Sequence, residues 1–124
     1  MSVQTLVGYY QENQFNPVPI ALETPQSWQN HLAKRHCLYE QHLGIPLGLL
    51  ADKSILEFGC NSGENALVLA HYGAKLTLVE PNRQVLPRLQ ALFERYGLSK
   101  QIVSIHNVGI DDFAGNENET NYVV

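Results

Sequence analysis

The sequence is poor in the features that mark secreted, membrane-spanning or nucleic-acid-binding proteins. Its 124 residues include two cysteines, too few for a framework of disulfides, so a reducing, cytoplasmic setting is expected. No apolar run approaches the ~20 residues that a transmembrane helix needs, and no signal peptide is expected. Eight Lys and Arg against twelve Asp and Glu give a net charge of −4. The chain therefore lacks the overall basic charge that attracts nucleic acid or membrane surfaces.

Histidines and cysteines are also too scattered to predict a metal site. His31, His36 and His42 lie five and six positions apart, whereas a helical pair of metal ligands needs a spacing of four. Cys60 could contact a ligand, but no nearby residue is an evident base to activate it as a nucleophile. We therefore expect a small domain with a core and no metal.

The most informative stretch is SILEFGCNSGENALVLA, residues 54–70. Ile55, Leu56 and Phe58 form the short apolar run of a parallel strand that is covered on both faces. The residues after Gly63 have the apolar composition of a buried helix. The stretch therefore predicts a strand, a turn and a helix in succession.

The turn in this stretch carries the residues that favour unusual backbone conformations. Gly59 and Gly63 bracket a sharp bend that leaves room for a ligand, and Asn61 tolerates a left-handed conformation. Ser62 is predicted to cap the helix that follows, and Gly73 to end it. The N–H groups at such a helix start favour an electron-rich or anionic ligand group.

Two acids accompany the turn. Glu57 lies two residues before the first glycine, and Glu80 ends a second apolar strand that begins near Lys75. Glu80 follows Glu57 by 23 positions (80 − 57 = 23), close to the offset of ~20 residues expected of a ribose-binding acid. The acids and the turn together are far more specific than any one of them alone.

This combination resembles motif I of the class I S-adenosylmethionine (SAM)-dependent methyltransferases, an acid followed by G-x-G-x-G. The departure is Asn61, which stands at the middle glycine and still permits the turn. The alternative is the dinucleotide fingerprint G-x-G-x-x-G, but Glu64 stands where its third glycine would fall. The resemblance covers about residues 24–113 and implies SAM as cofactor and a Rossmann-like α/β fold of the three-layer type.

The resemblance also implies roles for individual residues. Glu57 would help to place the methionine amino group, while the backbone of Gly59, Asn61 and Gly63 would approach the amino-acid and ribose portions of SAM. Glu80 would accept hydrogen bonds from both ribose hydroxyls, which suits a carboxylate because it offers acceptors alone.

Further candidates border the adenine and the methionine carboxylate. Pro81 and Asn82 would border the adenine pocket, and Asp111, with Asp112 as second choice, would bond the adenine amino group. A helix cap is an equal alternative for these aspartates. Candidates on the first helix that could close over the methionine carboxylate or the substrate are Arg35, His36 and Tyr39, although a packed amphipathic face is the favoured interpretation.

The chain is divided into an N-terminal arm (1–23), the SAM-binding domain (24–113) and a polar tail (114–124). Helices are predicted from Thr24 to Leu43, over 64–72 and over 82–96, and strands over 54–58, 75–80 and 102–107. Right-handed crossovers put the strands in the order 3-2-1, with both crossover helices on one face. The third strand alternates in polarity and is predicted at a half-exposed edge.

The predicted function is methyl transfer to an unidentified acceptor, with no residue assigned as catalytic base. Because the fold it resembles includes a C-terminal half that is not present here, we expect that half or a homodimer partner to complete it, and the isolated chain to be inactive. Two alternatives are a non-catalytic SAM-binding or interaction module and an NAD-dependent oxidoreductase domain. Neither a nucleic-acid partner nor a membrane is expected.

Overall fold

The computed structural model describes residues 22–113 and 122–123. They form three α-helices and four strands: α1 (Pro25–His36), β1 (Ser54–Phe58), α2 (Glu64–His71), β2 (Lys75–Val79), α3 (Leu86–Arg95), β3 (Ile102–His106) and β4 (Tyr122–Val123). A π-helical segment, Cys37–His42, continues α1, and four short 3-10 helices occupy Leu47–Leu50, Arg83–Val85, Ser99–Gln101 and Ile110–Asp112.

The first helix begins and ends as the sequence predicts. Thr24 and Ser27 form a reciprocal capping box at its start, with Pro25 in the first turn; both ends of such a box satisfy amides that otherwise lack a partner. The helical course continues through the π-helical segment and stops before Gly44, which has φ +67°. The sequence did not predict that the last six residues are π-helical, a rare geometry that is frequent at functional sites.

The sheet is entirely parallel, in the order β3-β2-β1-β4. The predicted order 3-2-1 and the edge position of β3 are therefore confirmed. The additional strand comes from the segment predicted as a polar tail: Tyr122 pairs with Ile55 and Val123 with Leu56. The free edge that we expected on β1 is thus partly occupied by two residues whose pairing no local pattern indicated.

One face of the sheet carries the core that packs against the helices. Ile55, Leu76 and Leu78 point into it from β1 and β2, and Leu89 and Phe93 enter it from α3, where both are fully buried. Leu89 and Phe93 lie four positions apart and therefore share one face of α3. This core holds the helices against one face of the sheet. The glycine turn lies at the carboxyl ends of the strands.

The face of the sheet opposite these core residues is also buried. Leu56 is 2% exposed and Val79 is 1% exposed, although the sequence predicts both crossover helices on a single face. Farther along the same face, Phe113 packs edge-on against Phe58 and His106, with ring centroids 5.7 and 5.0 Å apart. Phe113 therefore covers the carboxyl ends of β1 and β3.

The starts of α3 and α2 explain the positions of Pro87 and Ser62. Pro87 lies in the first turn of α3, because a 3-10 turn at Arg83–Val85 precedes the helix and delays its start. Here its missing N–H costs no helical hydrogen bond. The cap predicted for α2 is wrong: Gly63 occupies the N-cap position with φ +88°, and no side chain, including that of Ser62, caps the helix.

Candidate ligand-binding site at the carboxyl edge of the sheet

The turn after β1 is built from left-handed backbone conformations. Gly59, Asn61 and Gly63 have φ values of +67°, +53° and +88°, which glycine adopts without strain and asparagine tolerates. The N–H of Gly59 donates to Val79 O over 2.8 Å, and that of Gly63 donates to Cys60 O over 3.0 Å. The predicted role of Asn61, to keep the turn feasible without a middle glycine, is confirmed.

The two glycines have different surroundings. A Cβ atom added to Gly59 would meet no atom of the described residues within 4 Å, so this side of the turn is open among them. A Cβ atom added to Gly63 would lie 3.0 Å from Leu89 Cγ and 3.2 Å from a ring atom of Phe93. Gly63 therefore permits close packing of the turn on α3, while Gly59 leaves room where a ligand could approach.

Glu80 ties the turn to the end of β2. Its carboxylate is 3% exposed; Oε1 accepts a hydrogen bond from the N–H of Asn61 (2.7 Å), and Oε2 accepts one from the N–H of Asn82 (2.8 Å). Each carboxylate oxygen has a second lone pair, so both retain acceptor capacity for hydroxyl groups. The structure thus gives Glu80 a turn-fixing role that the sequence did not predict, and leaves the predicted ribose role chemically feasible.

Glu57 is the most unusual group of the site. Its side chain is buried, at 6% exposure, and Oε1 accepts a hydrogen bond from Asn65 Nδ2 over 3.2 Å. Within the described residues Oε2 accepts no hydrogen bond. Burial raises the pKa of this carboxyl and is the largest influence on it. The hydrogen bond from Asn65 and the charge of Arg35 oppose the rise, while Glu64 and Glu80 add weaker contributions in the same direction as burial.

An unpartnered buried carboxylate oxygen is costly, at about 1–3 kcal/mol or more. A ligand that brings a cationic donor to Oε2 would remove that cost. The amino group of SAM is such a donor, so the residues present fit this cofactor.

Cys60 is buried in the turn at 4% exposure, and its Sγ donates to Asn61 O over 3.8 Å. Burial raises the pKa of this thiol strongly, and Glu57 and Glu80 raise it further. Because the thiolate is the reactive form, this environment disfavours Cys60 as a nucleophile. Its contact with a ligand stays a prediction.

The candidates beyond Glu80 have mixed surroundings. Asn82 is buried, and its Oδ1 accepts the N–H of Gln84 over 3.1 Å, so it caps the 3-10 turn. Pro81 is half-buried, and its carbonyl accepts a hydrogen bond from Asn107 Nδ2 over 3.1 Å. Asp111 lies exposed in the 3-10 helix Ile110–Asp112 that follows β3, and its contact with adenine stays a prediction.

Sequence reasoning missed two residues of the site. Asn107 holds the chain after β2 by donating from Nδ2 to Glu80 O over 2.9 Å as well as to Pro81. Asn65 contacts Glu57, as described above. The available signal for Asn65 was its position as an amide in the first turn of an otherwise apolar helix.

Among residues 22–113 and 122–123, no group of three or more His, Cys, Asp or Glu side chains could hold a metal ion. Within the same residues, no helix is long and apolar enough to cross a membrane.

The parallel sheet, the left-handed glycine turn after β1 and the acid after β2 form a Rossmann-like α/β arrangement. Comparison with solved structures confirms this fold. The chain superimposes on P. horikoshii TYW2, determined in complex with MeSAdo, with a TM-score of 0.54 at 21% identity, covering 62% of this chain and 30% of that one.

Two further comparisons agree. A Methanococcus maripaludis structure assigned to the SAM-dependent methyltransferases gives a TM-score of 0.60 at 10% identity, covering 79% of this chain and 48% of that one. The chain is also 44% identical over 52 residues to a protein-L-isoaspartate O-methyltransferase of Xanthobacter autotrophicus, a match that covers 42% of this chain and 24% of that protein. No family model matches the sequence. The chain thus spans less than half the length of each of these proteins.

Proposed function

We propose that this chain is the SAM-binding portion of a class I methyltransferase, which transfers a methyl group to an acceptor. The observation that carries the proposal is the buried Oε2 of Glu57, which has no partner among the described residues and lies beside an open glycine turn. A buried carboxylate oxygen without a donor is the complement of an ammonium group. Similarity to known methyltransferases, in sequence and in fold, supports the same conclusion.

The proposed contacts follow from the chemistry of each group. Glu57 would accept a hydrogen bond from the amino group of the methionine part. The open backbone at Gly59 would lie against the ligand, and Glu80 would accept the ribose hydroxyls with its remaining lone pairs. Pro81 and Asn82 would border the adenine, with Asp111 bonding its amino group.

SAM, when bound, supplies a methyl group on a sulfonium that is already an activated leaving group. The residues of this chain would bind and orient the donor, an effect of proximity and alignment that contributes much of the rate enhancement in such reactions. None of the site residues described above is assigned as a general base. Acceptor contacts would come from a C-terminal half or from a partner chain.

Isothermal titration with S-adenosylhomocysteine and with NAD, run in parallel, tests the proposal. We expect S-adenosylhomocysteine to bind and NAD not to bind. Binding of NAD alone would favour an oxidoreductase domain instead. Binding of S-adenosylhomocysteine without methyl transfer by the full-length natural protein would favour a non-catalytic binding module.

A further inference from the structure

Glu57 is connected to the π-helical segment that continues α1 through a chain of two hydrogen bonds. The hydroxyl of Tyr39 donates to Asn65 Oδ1 over 2.7 Å, and Asn65 Nδ2 donates to Glu57 Oε1 over 3.2 Å. Tyr39 and Asn65 are 26 positions apart in the sequence, and Asn65 and Glu57 are 8 positions apart. Only the folded structure brings them together.

The direction of these bonds is determined by chemistry. An ionised carboxylate is an acceptor alone, so the amide of Asn65 must present its NH₂ group to Glu57. The amide oxygen then faces Tyr39, whose hydroxyl can donate to it. Tyr39 therefore fixes the amide orientation that Glu57 requires.

Tyr39 makes this contact from a backbone segment of unusual geometry. Tyr39 lies in the π-helical segment Cys37–His42 and is 9% exposed. Its neighbour one turn earlier, the half-buried Arg35, is close enough to act electrostatically on both Glu57 and Tyr39. The end of α1 and the π-helical segment thus contribute a positive charge within electrostatic range of the buried carboxylate and the first donor of the chain that leads to it.

The consequence concerns the two oxygens of Glu57. Asn65 occupies Oε1 and holds the carboxylate in one orientation, so Oε2 is the oxygen left for a ligand. If the Asn65 amide could rotate, Oε1 of Glu57 would lose its hydrogen-bond donor, and the carboxylate could then turn. Restraint of a binding group by a second residue of this kind commonly sets the precision of a site.

We propose that Tyr39 and Asn65 are positioning residues that orient the Glu57 carboxylate toward the amino-acid end of the ligand, and so determine preference for an adenosine ligand that carries an amino acid over one that lacks it. The inference rests on the proposed function, since it takes the ligand to be SAM or S-adenosylhomocysteine. It goes beyond that function because it names the residues that control one end of the ligand.

The test compares two ligands that differ in the amino-acid portion. Dissociation constants are measured by isothermal titration for S-adenosylhomocysteine and for methylthioadenosine, which keeps the adenosine and the sulfur but has no amino acid. We expect Tyr39→Phe and Asn65→Leu each to weaken S-adenosylhomocysteine binding by about tenfold, the effect of losing one hydrogen bond near a charged group. Methylthioadenosine binding should stay the same.

Tyr96→Phe is the matched control. Its hydroxyl also makes a short hydrogen bond, to Leu22 O over 2.6 Å, but it is not part of the chain of hydrogen bonds that leads to Glu57. This variant loses the same chemical group and should keep the ratio of the two affinities. Melting temperatures and circular dichroism of all variants show whether each is folded.

The outcomes separate the two proposals. If Tyr39→Phe and Asn65→Leu, both folded, weaken both ligands equally or neither, the positioning role is overturned while SAM binding stands. If the wild-type chain binds neither ligand, the proposed function fails and this inference fails with it.

Discussion

Glu57 shows at the scale of one residue how a binding group costs stability. Burial raises its pKa above the ordinary value of 4.5, Glu64 and Glu80 raise it further, and Asn65 and Arg35 oppose the shift. The folded state therefore binds the proton more tightly than the unfolded state. Stability should fall as the pH rises from about 4.5 through the higher folded pKa, and the cost should be absent below that range.

The variant Glu57→Gln should lack this pH dependence, because its side chain does not ionise. We expect the melting temperature of the ligand-free variant to rise relative to wild type as the pH rises from about 4.5 through the folded-state pKa of Glu57, because only the wild-type side chain becomes charged in this range. Thermal unfolding at several pH values measures the difference. Glu94→Gln, at an exposed position on α3, is the control and should track wild type. A constant gap between Glu57→Gln and wild type would contradict the assignment.

Glu80 carries two roles that one substitution removes together. Glu80→Ala deletes the acceptors of the Asn61 and Asn82 amides and the proposed acceptors of the ribose hydroxyls. Hydrogen bonds to charged groups contribute about 1.5–3 kcal/mol each, so S-adenosylhomocysteine binding should weaken by tenfold or more. The variant should also be less stable without ligand, since the backbone amides of Asn61 and Asn82 lose these carboxylate acceptors.

Titration and thermal unfolding of Glu80→Ala and Glu94→Ala measure both effects. Glu94 is exposed on α3 and serves as the control. Equal affinities in the two variants would argue against the ribose role, whatever the change in stability.

At the scale of the element, the two glycines of the turn have different roles. Gly63 permits packing against α3, and Gly59 leaves room for a ligand. Gly59→Ala and Gly63→Ala each place a Cβ at positive φ, which costs about 1–2 kcal/mol. At Gly63 the new methyl would also meet Leu89 and Phe93 of α3 at 3.0–3.2 Å. Overpacking of this kind adds about 1–3 kcal/mol.

We therefore expect Gly63→Ala to be the less stable variant in urea unfolding. Gly59→Ala should be closer to wild type in stability and should lose S-adenosylhomocysteine affinity, because its methyl would fill the open side of the turn. Equal losses of stability and equal losses of affinity in the two variants would contradict these separate roles.

At the scale of the whole molecule, the sheet ends in a short strand flanked by apolar side chains. Beside β4 lies a cavity of about 310 Å³, lined by Tyr39, Gly44, Ile45, Pro46, Leu49, Leu50, Ile55, Leu69, Tyr122 and Val123. Leu49 is 63% exposed and Val123 is 57% exposed. Exposed apolar patches next to a strand edge favour association with another chain.

We expect the 124-residue chain to self-associate through this surface. Light scattering should show an apparent mass that increases with protein concentration, and Leu49→Lys should reduce the increase. Val103→Lys, at a residue 66% exposed on the opposite edge strand β3, is the control and should leave association unchanged. A monomer at all concentrations would show that this surface is not an interface between copies of the chain.

The sequence alone determined the features that depend on neighbouring residues. The left-handed turn follows from glycine and asparagine at fixed positions, because the conformation is permitted or strained within the residue itself. The strands β1 and β2 follow from their apolar runs, and right-handed crossovers then dictate the order 3-2-1. The acids Glu57 and Glu80 could be placed at the same sheet edge for the same reason.

The tertiary structure decided the features that depend on distant residues. The burial of Glu57, its bond to Asn65 and the contact of Asn65 with Tyr39 depend on how α1 packs against α2, and no local pattern encodes that packing. The pairing of Tyr122–Val123 with β1 likewise has no signal in a two-residue strand, whose position depends on the edge that β1 leaves available. Local conformational preferences act within a few residues, whereas side-chain partners depend on register and packing between elements, and these arise only when the chain has folded.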